Sequence, residues 1–154
     1  MKSYERIFGS GPRGALISTL LLLVAYFLKD HFGFSQILTN NVIRYSVFII
    51  FSTFGVALVI WSVISLPVKE RGRSLVVTGA FKFFRHPLYA AFLILLNIGF
   101  AFLLNNWIYI CWAVLMFPIW SLNIRSEEKL MENAFGEEYK AYREKTWKFI
   151  PRLW

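Results

Sequence analysis

Arg85 and His86 stand directly before a long apolar run, in the stretch FRHPLY at residues 84–89. Proline is favoured at the first position of a helix, so we predict that Pro87 begins a helix and that His86 caps it. Free backbone amides and the positive end of the helix dipole, beside two cations, would attract a carboxylate or a phosphate. From this stretch alone, simple anchoring at the membrane interface is the alternative.

A second polar stretch, RSEE at residues 125–128, follows the last apolar segment. Helical spacing places Arg125 and Glu128 on one face and turns Glu127 by about 100° from Glu128. Carboxylates so close to a membrane suit a ribose hydroxyl, an ammonium or a sulfonium. A solvated helix surface is the alternative that the spacing leaves open.

The third stretch, FGEEYKAYREKTWKFIP at residues 135–151, combines aromatic and charged side chains. Tyr139, Tyr142, Trp147 and Phe149 could cover a flat ligand from the aqueous side. They could equally lie on the membrane as one face of an amphipathic helix, which the spacing alone favours.

The elements that position these stretches are predicted to be membrane helices, because 57% of the chain is hydrophobic and only 17% is charged. We predict an all-α protein of one domain over residues 1–154: an integral membrane bundle of four transmembrane helices with a cytoplasmic C-terminal helical segment. The fourth helix is predicted to continue past the bilayer and to end near Gly136. The four apolar segments, each close to the ~17–25 residues that cross a bilayer, are 14–28, 42–66, 87–104 and 106–122.

The distribution of cations predicts the orientation of this multi-pass protein. Of the 17 lysines and arginines, 15 fall on one side of the predicted helices, and only Lys29 and Arg44 fall on the other. By the positive-inside rule, both termini and the polar segments 67–86 and 123–154 face the cytoplasm. All three polar stretches should therefore meet at one membrane surface.

Other classes of site and partner are not expected. The net charge of +8 is typical of membrane topology and lipid contact, and we expect no nucleic-acid partner. Cys111 is the single cysteine, and the two histidines, His31 and His86, are predicted on opposite sides of the membrane. We therefore expect no metal site.

Taken together and in order, residues 74–151 resemble the isoprenylcysteine carboxyl methyltransferase family and its phospholipid methyltransferase relatives. Each motif alone would be weak, but the ordered set is specific. The residues that carry the resemblance are Thr78, Gly79 and Phe81, then Arg85, His86, Pro87 and Tyr89, then Glu127 and Glu128, and finally Phe135, Gly136, Tyr139 and Tyr142 with Pro151.

This resemblance implies S-adenosylmethionine as methyl donor, bound in a cytoplasmic pocket between the last membrane helices and the C-terminal segment. The acceptor would be a lipid or a prenylated molecule within the membrane, methylated at headgroup depth near the catalytic candidates Arg125 and Glu128. The residues expected to bind the donor are Arg85, His86, Pro87 and Tyr89 at the start of the third helix, Glu127 and Glu128 at its ribose or methionyl end, and Tyr139 and Tyr142 over it.

The chain departs from the family pattern at two places. Gly79 is followed by Ala-Phe-Lys where the family often has Pro-Tyr-Arg, and Ala91 stands where it often has glycine. Transfer to oxygen and transfer to nitrogen both remain open, as does the oligomeric state. An NADPH-dependent membrane reductase related to sterol reductases and a non-enzymatic lipid-binding scaffold are the alternatives to a methyltransferase.

Overall fold

A computed structural model describes residues 10–67, 70 and 73–150, and these residues form helices without a β-strand. Four helices are long and apolar enough to cross a membrane, which confirms the predicted all-α membrane bundle. The observed bounds lie close to the predicted ones. They are α1 Gly11–Leu28, α2 Asn41–Ser65, α3 Pro87–Leu104, α4 Trp107–Asn123 and α5 Arg125–Lys145, with a short 3-10 helix Gly79–Lys82 before α3.

The bundle is built from three neighbouring pairs: α1 packs on α4, α2 on α3, and α3 on α4. Ser18 fastens α1 to α4, since the indole N–H of Trp120 donates to its hydroxyl at 2.8 Å and that of Trp112 donates to its backbone oxygen at 3.2 Å. Helices in lipid associate through such close packing and hydrogen bonds rather than through the hydrophobic effect. These contacts place the beginnings of α1 and α3 and the end of α4 at one end of the bundle.

The third membrane helix begins as predicted, with Pro87 at its first position and His86 at the capping position. The imidazole of His86 makes no capping hydrogen bond, so it is available for other contacts. A π-helical segment, Ala91–Leu96, follows the first turn. Such segments are frequent near functional sites, and this one lies one turn from the FRHPLY stretch.

The predicted tight hairpin between α3 and α4 is present at Asn105 and Asn106. Asn105 is buried and adopts the left-handed conformation, with φ 54°. Its side-chain amide pairs with the backbone of Leu38, donating to the carbonyl and accepting from the N–H at 2.9 Å each. Asn105 thus forms the turn between α3 and α4, and it also fixes the loop between α1 and α2 to that turn.

Replacing Asn105 separates these two roles. Asn105→Gly keeps the left-handed turn but leaves the partly buried N–H and C=O of Leu38 unpaired, which should lower the free energy of unfolding by about 1–3 kcal/mol. Asn105→Ala also forces a side chain into the left-handed region, which adds roughly 1–2 kcal/mol. Thermal unfolding in detergent, followed by circular dichroism, should rank wild type above glycine above alanine. An alanine variant as stable as the glycine variant would contradict this account.

The helix is broken at Gly136, where the sequence predicted its end, and a further helical segment, residues 137–145 of α5, follows after a sharp bend that the sequence did not predict. Gly136 has φ 52° and ψ −125°, a conformation that glycine tolerates best. Arg143 reaches Glu132 across the bend at 3.1 Å, although eleven residues of straight helix would separate their backbones by about 16 Å. The glycine therefore turns residues 137–145 back toward the bundle.

Candidate functional site

The structure brings the FRHPLY and RSEE stretches into direct contact at one end of the bundle. The guanidinium Nε of Arg85 donates to Oε1 of Glu128 at 3.1 Å. His86 lies between the two acids, with Nε2 3.7 Å from Glu128 Oε1 and Nδ1 3.7 Å from Glu127 Oε2. The Tyr89 hydroxyl donates to Oε1 of Glu127 at 2.9 Å. These five residues, Arg85, His86, Tyr89, Glu127 and Glu128, form the polar cluster.

Backbone pairing with the C-terminal segment holds the FRHPLY stretch in place. The N–H of Arg85 donates to the carbonyl of Trp147 at 2.8 Å, and the N–H of His86 donates to the carbonyl of Lys148 at 3.1 Å. This short parallel pairing satisfies backbone groups just before α3 begins. It also places the C-terminal segment along the edge of the polar cluster.

The side chain of Arg85 fastens the end of α5 to the same place. Its Nη1 donates to the carbonyl of Arg143 at 2.9 Å and also to the carbonyl of Thr146. The planar guanidinium can reach these carbonyls and Glu128 at once because its donors point in several fixed directions. Arg85 thus joins three elements: the start of α3, the start of α5 and the tail that follows it.

Glu128 is the electrostatic centre of the cluster. It is 9% exposed, and Lys148 donates to its second oxygen at 2.9 Å. α5 carries eleven charged residues among its 21 and is too polar to lie in the hydrocarbon. Burial raises the pKa of Glu128, but nearby His86, the hydrogen bond from Lys148 and the charge of Arg85 outweigh it and hold the pKa at about 2. The carboxylate therefore stays ionised at neutral pH.

The two predicted cover residues, Tyr139 and Tyr142, lie beside the cluster with ring centroids 6.1 Å apart. Burial and the nearby charge of Glu128 raise the pKa of Tyr139 above its usual value, and burial raises that of Tyr142 to about 12. Both are therefore neutral phenols. The Tyr142 hydroxyl donates to the carbonyl of Phe81 at 2.7 Å, so it anchors the segment before α3. Their role as a cover for a ligand stays a prediction.

Two predicted site residues are placed differently from the rest. Arg125 is exposed and forms no hydrogen bond or ion pair within the described part of the chain. Pro87 is fully buried, and its position in the structure is the first residue of α3. A catalytic role for Arg125 and a ligand contact for Pro87 both stay predictions.

The sequence analysis missed three residues that complete the site: Ser10, Thr146 and Lys148. In the sequence, Lys148 was one of many cations predicted to face the cytoplasm. The available signal was that paired acids predicted at the same membrane surface would need a cationic partner. Ser10 donates to Glu127 from the start of α1, and no motif marks it. Thr146 acts through its backbone carbonyl, which no sequence pattern reveals.

A cleft of about 520 Å³ opens beside the polar cluster, between α4 and the C-terminal segment. One part of its wall carries positive charge, and another part is aromatic and aliphatic. Phe117 of α4 packs edge-to-face on Phe149 at 5.3 Å and so closes the cleft toward the bundle. The lining residues are Arg85, Arg143, Glu144, Thr146 and Lys148 at the polar wall and Phe117, Trp147, Phe149 and Ile150 at the apolar wall.

The sequence model of the isoprenylcysteine carboxyl methyltransferase (ICMT) family matches residues 44–133, more than half of the chain. The chain belongs to this family. Membership indicates a membrane methyltransferase and confirms the resemblance found in the sequence. A search of curated proteins and a search of solved structures gave no match. The matched segment includes Arg85, His86, Glu127 and Glu128, whereas α1 and the C-terminal segment lie outside it.

Proposed function

We propose that this ICMT-family protein transfers a methyl group from S-adenosylmethionine to a lipid or prenylated acceptor in the membrane. The observation that carries the proposal is the polar cluster, in which the side chains of two glutamates, an arginine and a histidine meet beside an aromatic cleft. The donor offers matching chemistry: a carboxylate, an ammonium, a sulfonium, ribose hydroxyls and a flat adenine. Few ligands combine these groups in one molecule.

The cluster retains unused hydrogen-bonding capacity. His86 Nε2 is buried and has no hydrogen-bond partner among the described residues. A buried polar atom without a partner is costly unless a ligand satisfies it. The adjoining cleft of about 520 Å³ also lies within the roughly 300–1,000 Å³ of small-molecule sites. The residues present therefore fit the donor.

Each end of the donor has candidate partners. We assign Arg85 and His86 to its carboxylate, Glu127 and Glu128 to its ammonium or ribose hydroxyls, and Trp147 to the flat adenine. When bound, S-adenosylmethionine supplies an electrophilic methyl group whose in-line transfer disperses the sulfonium charge. The ionised Glu128 attracts the cationic donor, and the charge-assisted hydrogen bonds around it hold the carboxylate in one orientation.

The chain's contribution to rate is orientation and exclusion of water, which can supply much of the acceleration of such a displacement. Phe149, 1% exposed, and the buried Tyr139 close the site from the aqueous side. Arg125 is exposed next to the acid pair, and we assign it to binding the acceptor. Because the cleft wall includes Phe117 of a membrane helix, an acceptor could enter laterally from the bilayer.

The proposal also places the site and both termini on the cytoplasmic side. The support is the positive-inside distribution of 15 of the 17 lysines and arginines. In the structure the polar cluster lies at the cation-rich end of the bundle, opposite the hairpin at Asn105.

Calorimetric titration of the purified protein in detergent tests the donor assignment. S-adenosylhomocysteine should bind saturably, and His86→Ala should weaken binding at least about tenfold, since a hydrogen bond to a charged group is worth about 1.5–3 kcal/mol. Lys140→Ala is the matched control, because this exposed lysine lies outside the polar cluster and pairs with Glu137. Heat from NADPH alone would indicate a reductase. Heat from neither ligand would indicate a scaffold.

A further inference from the structure

The first helix begins at the polar cluster and contacts it through Ser10. The hydroxyl of Ser10 donates to Oε1 of Glu127 at 2.6 Å, and the backbone N–H of Ser10 donates to the same oxygen. The hydroxyl of Tyr89 donates to that oxygen as well, at 2.9 Å. One oxygen of Glu127 therefore takes three donors, two from the start of α1 and one from α3.

The other oxygen of Glu127 is left for a ligand. Its Oε2 receives no hydrogen bond from any residue in the described ranges, and it faces His86 Nδ1 at 3.7 Å. The side chain of Glu127 is 19% exposed, so it is not sealed inside the bundle. Because the two oxygens of a carboxylate are rigidly connected, holding Oε1 against Ser10 and Tyr89 fixes the direction of Oε2.

Ser10 is itself held before any ligand arrives. It is buried, and the side-chain amide of Asn123 donates to its carbonyl at 3.0 Å. Two turns further along α1, Ser18 accepts the hydrogen bond from Trp120 and docks the helix on α4. A carboxylate oriented by such a fixed support binds its ligand without losing further freedom.

We propose that Ser10 is a positioning residue of the donor site. Its hydroxyl and amide orient Glu127 so that Oε2 meets the ammonium or a ribose hydroxyl of S-adenosylmethionine. The inference rests on the proposed function, and it extends the site to α1, which lies outside the family-matched residues 44–133. Ser10 touches neither donor nor acceptor and acts through Glu127.

A double-mutant cycle between Ser10 and Glu127 tests the inference. Ser10→Ala should weaken binding of S-adenosylhomocysteine about tenfold, the effect of losing a hydrogen bond to a charged group. Ser10→Thr, which keeps the hydroxyl, should restore affinity to within about twofold. In a Glu127→Ala background, Ser10→Ala should change affinity by less than about twofold, because the group it orients is gone.

A matched control and a ligand-free measurement separate positioning from simple docking of α1. Ser18→Ala removes a hydrogen bond of α1 that does not involve Glu127, so it should lower the thermal midpoint in detergent and leave affinity within about twofold. Without ligand, the changes in thermal midpoint caused by Ser10→Ala and Glu127→Ala should not add up in the double variant. This non-additivity reports the contact between the two residues in the absence of any donor.

The inference is overturned if Ser10→Ala binds like wild type, or loses affinity equally in both backgrounds, or behaves like Ser18→Ala. Failure of the proposed function is detected with the wild-type protein rather than with the variants. If folded wild type does not bind S-adenosylhomocysteine, the proposed function falls and this inference falls with it. If wild type binds and the cycle is additive, only the inference falls.

Discussion

Replacing Glu128 by alanine should abolish donor binding and lower the free energy of unfolding by about 3–5 kcal/mol, the cost of breaking a buried ion pair from one side. Arg85, His86 and Lys148 all approach this carboxylate within 3.7 Å. Without it, the positive charges of Arg85 and Lys148 repel each other in a partly buried site. Thermal unfolding in detergent measures the stability, and calorimetric titration with S-adenosylhomocysteine measures the binding.

Glu132→Ala is the control on the same helix. Glu132 is 34% exposed in its side chain against 12% for Glu128, and its ion pair with Arg143 lies at the surface. Exposed pairs contribute about 0–1 kcal/mol, so this variant should unfold and bind nearly as wild type does. Equal losses in the two variants would contradict a special role for Glu128.

Replacing Arg85 by lysine should release the C-terminal segment, although the charge is kept. The guanidinium donates to Glu128, to the carbonyl of Arg143 and to that of Thr146, whereas an ammonium cannot reproduce this fork. We expect a loss of about 2–4 kcal/mol in the free energy of unfolding, since two or more of these hydrogen bonds would be lost. Limited proteolysis should cut the variant after residue 145 at least several-fold faster, and donor binding should be lost.

Arg125→Lys controls for the substitution itself. Arg125 is exposed and has no partner in the ranges that the structure describes, so its replacement should change stability by less than about 0.5 kcal/mol. If Arg85→Lys matched this control in stability and in the rate of cleavage, the side chain of Arg85 would not be what holds the C-terminal segment against α3.

The membrane helices could be predicted because hydropathy and local signals both mark them. The bilayer sets their length, Pro87 marks the start of α3, and Asn105 can adopt the left-handed turn that a short hairpin requires. The meeting of the two polar stretches followed from topology, because the cations placed both at one surface. The structure adds that Arg85 and Glu128 are in contact.

The parts that sequence reasoning missed depend on tertiary contacts. The sequence marks the break in the helix at Gly136, but the helical segment beyond it is held by a tertiary contact, the hydrogen bond from the Tyr142 hydroxyl to the carbonyl of Phe81. The pairing of Arg85 with Trp147 uses backbone groups, which every residue carries and no motif reveals.

Ser10 was missed for a different reason. Serine before a helix is a common cap, and here it donates to a distant carboxylate instead of accepting from its own helix. Ser10 and Glu127 come together because α1 packs along α4, a tertiary arrangement to which the hydrogen bond from Trp120 to Ser18 is one contribution.

Incubation of the protein with isotopically methyl-labelled S-adenosylmethionine, a membrane lipid extract and prenylated peptides, followed by mass spectrometry, tests the central claim most directly. We predict a labelled methyl group on a lipid-soluble product with wild type, and none with His86→Ala or with the isosteric Glu128→Gln, each shown to be folded. A folded wild type that binds S-adenosylhomocysteine and labels no lipid or peptide, or a His86 variant that labels as fast as wild type, would contradict the claim that this polar cluster is the methyl-donor site.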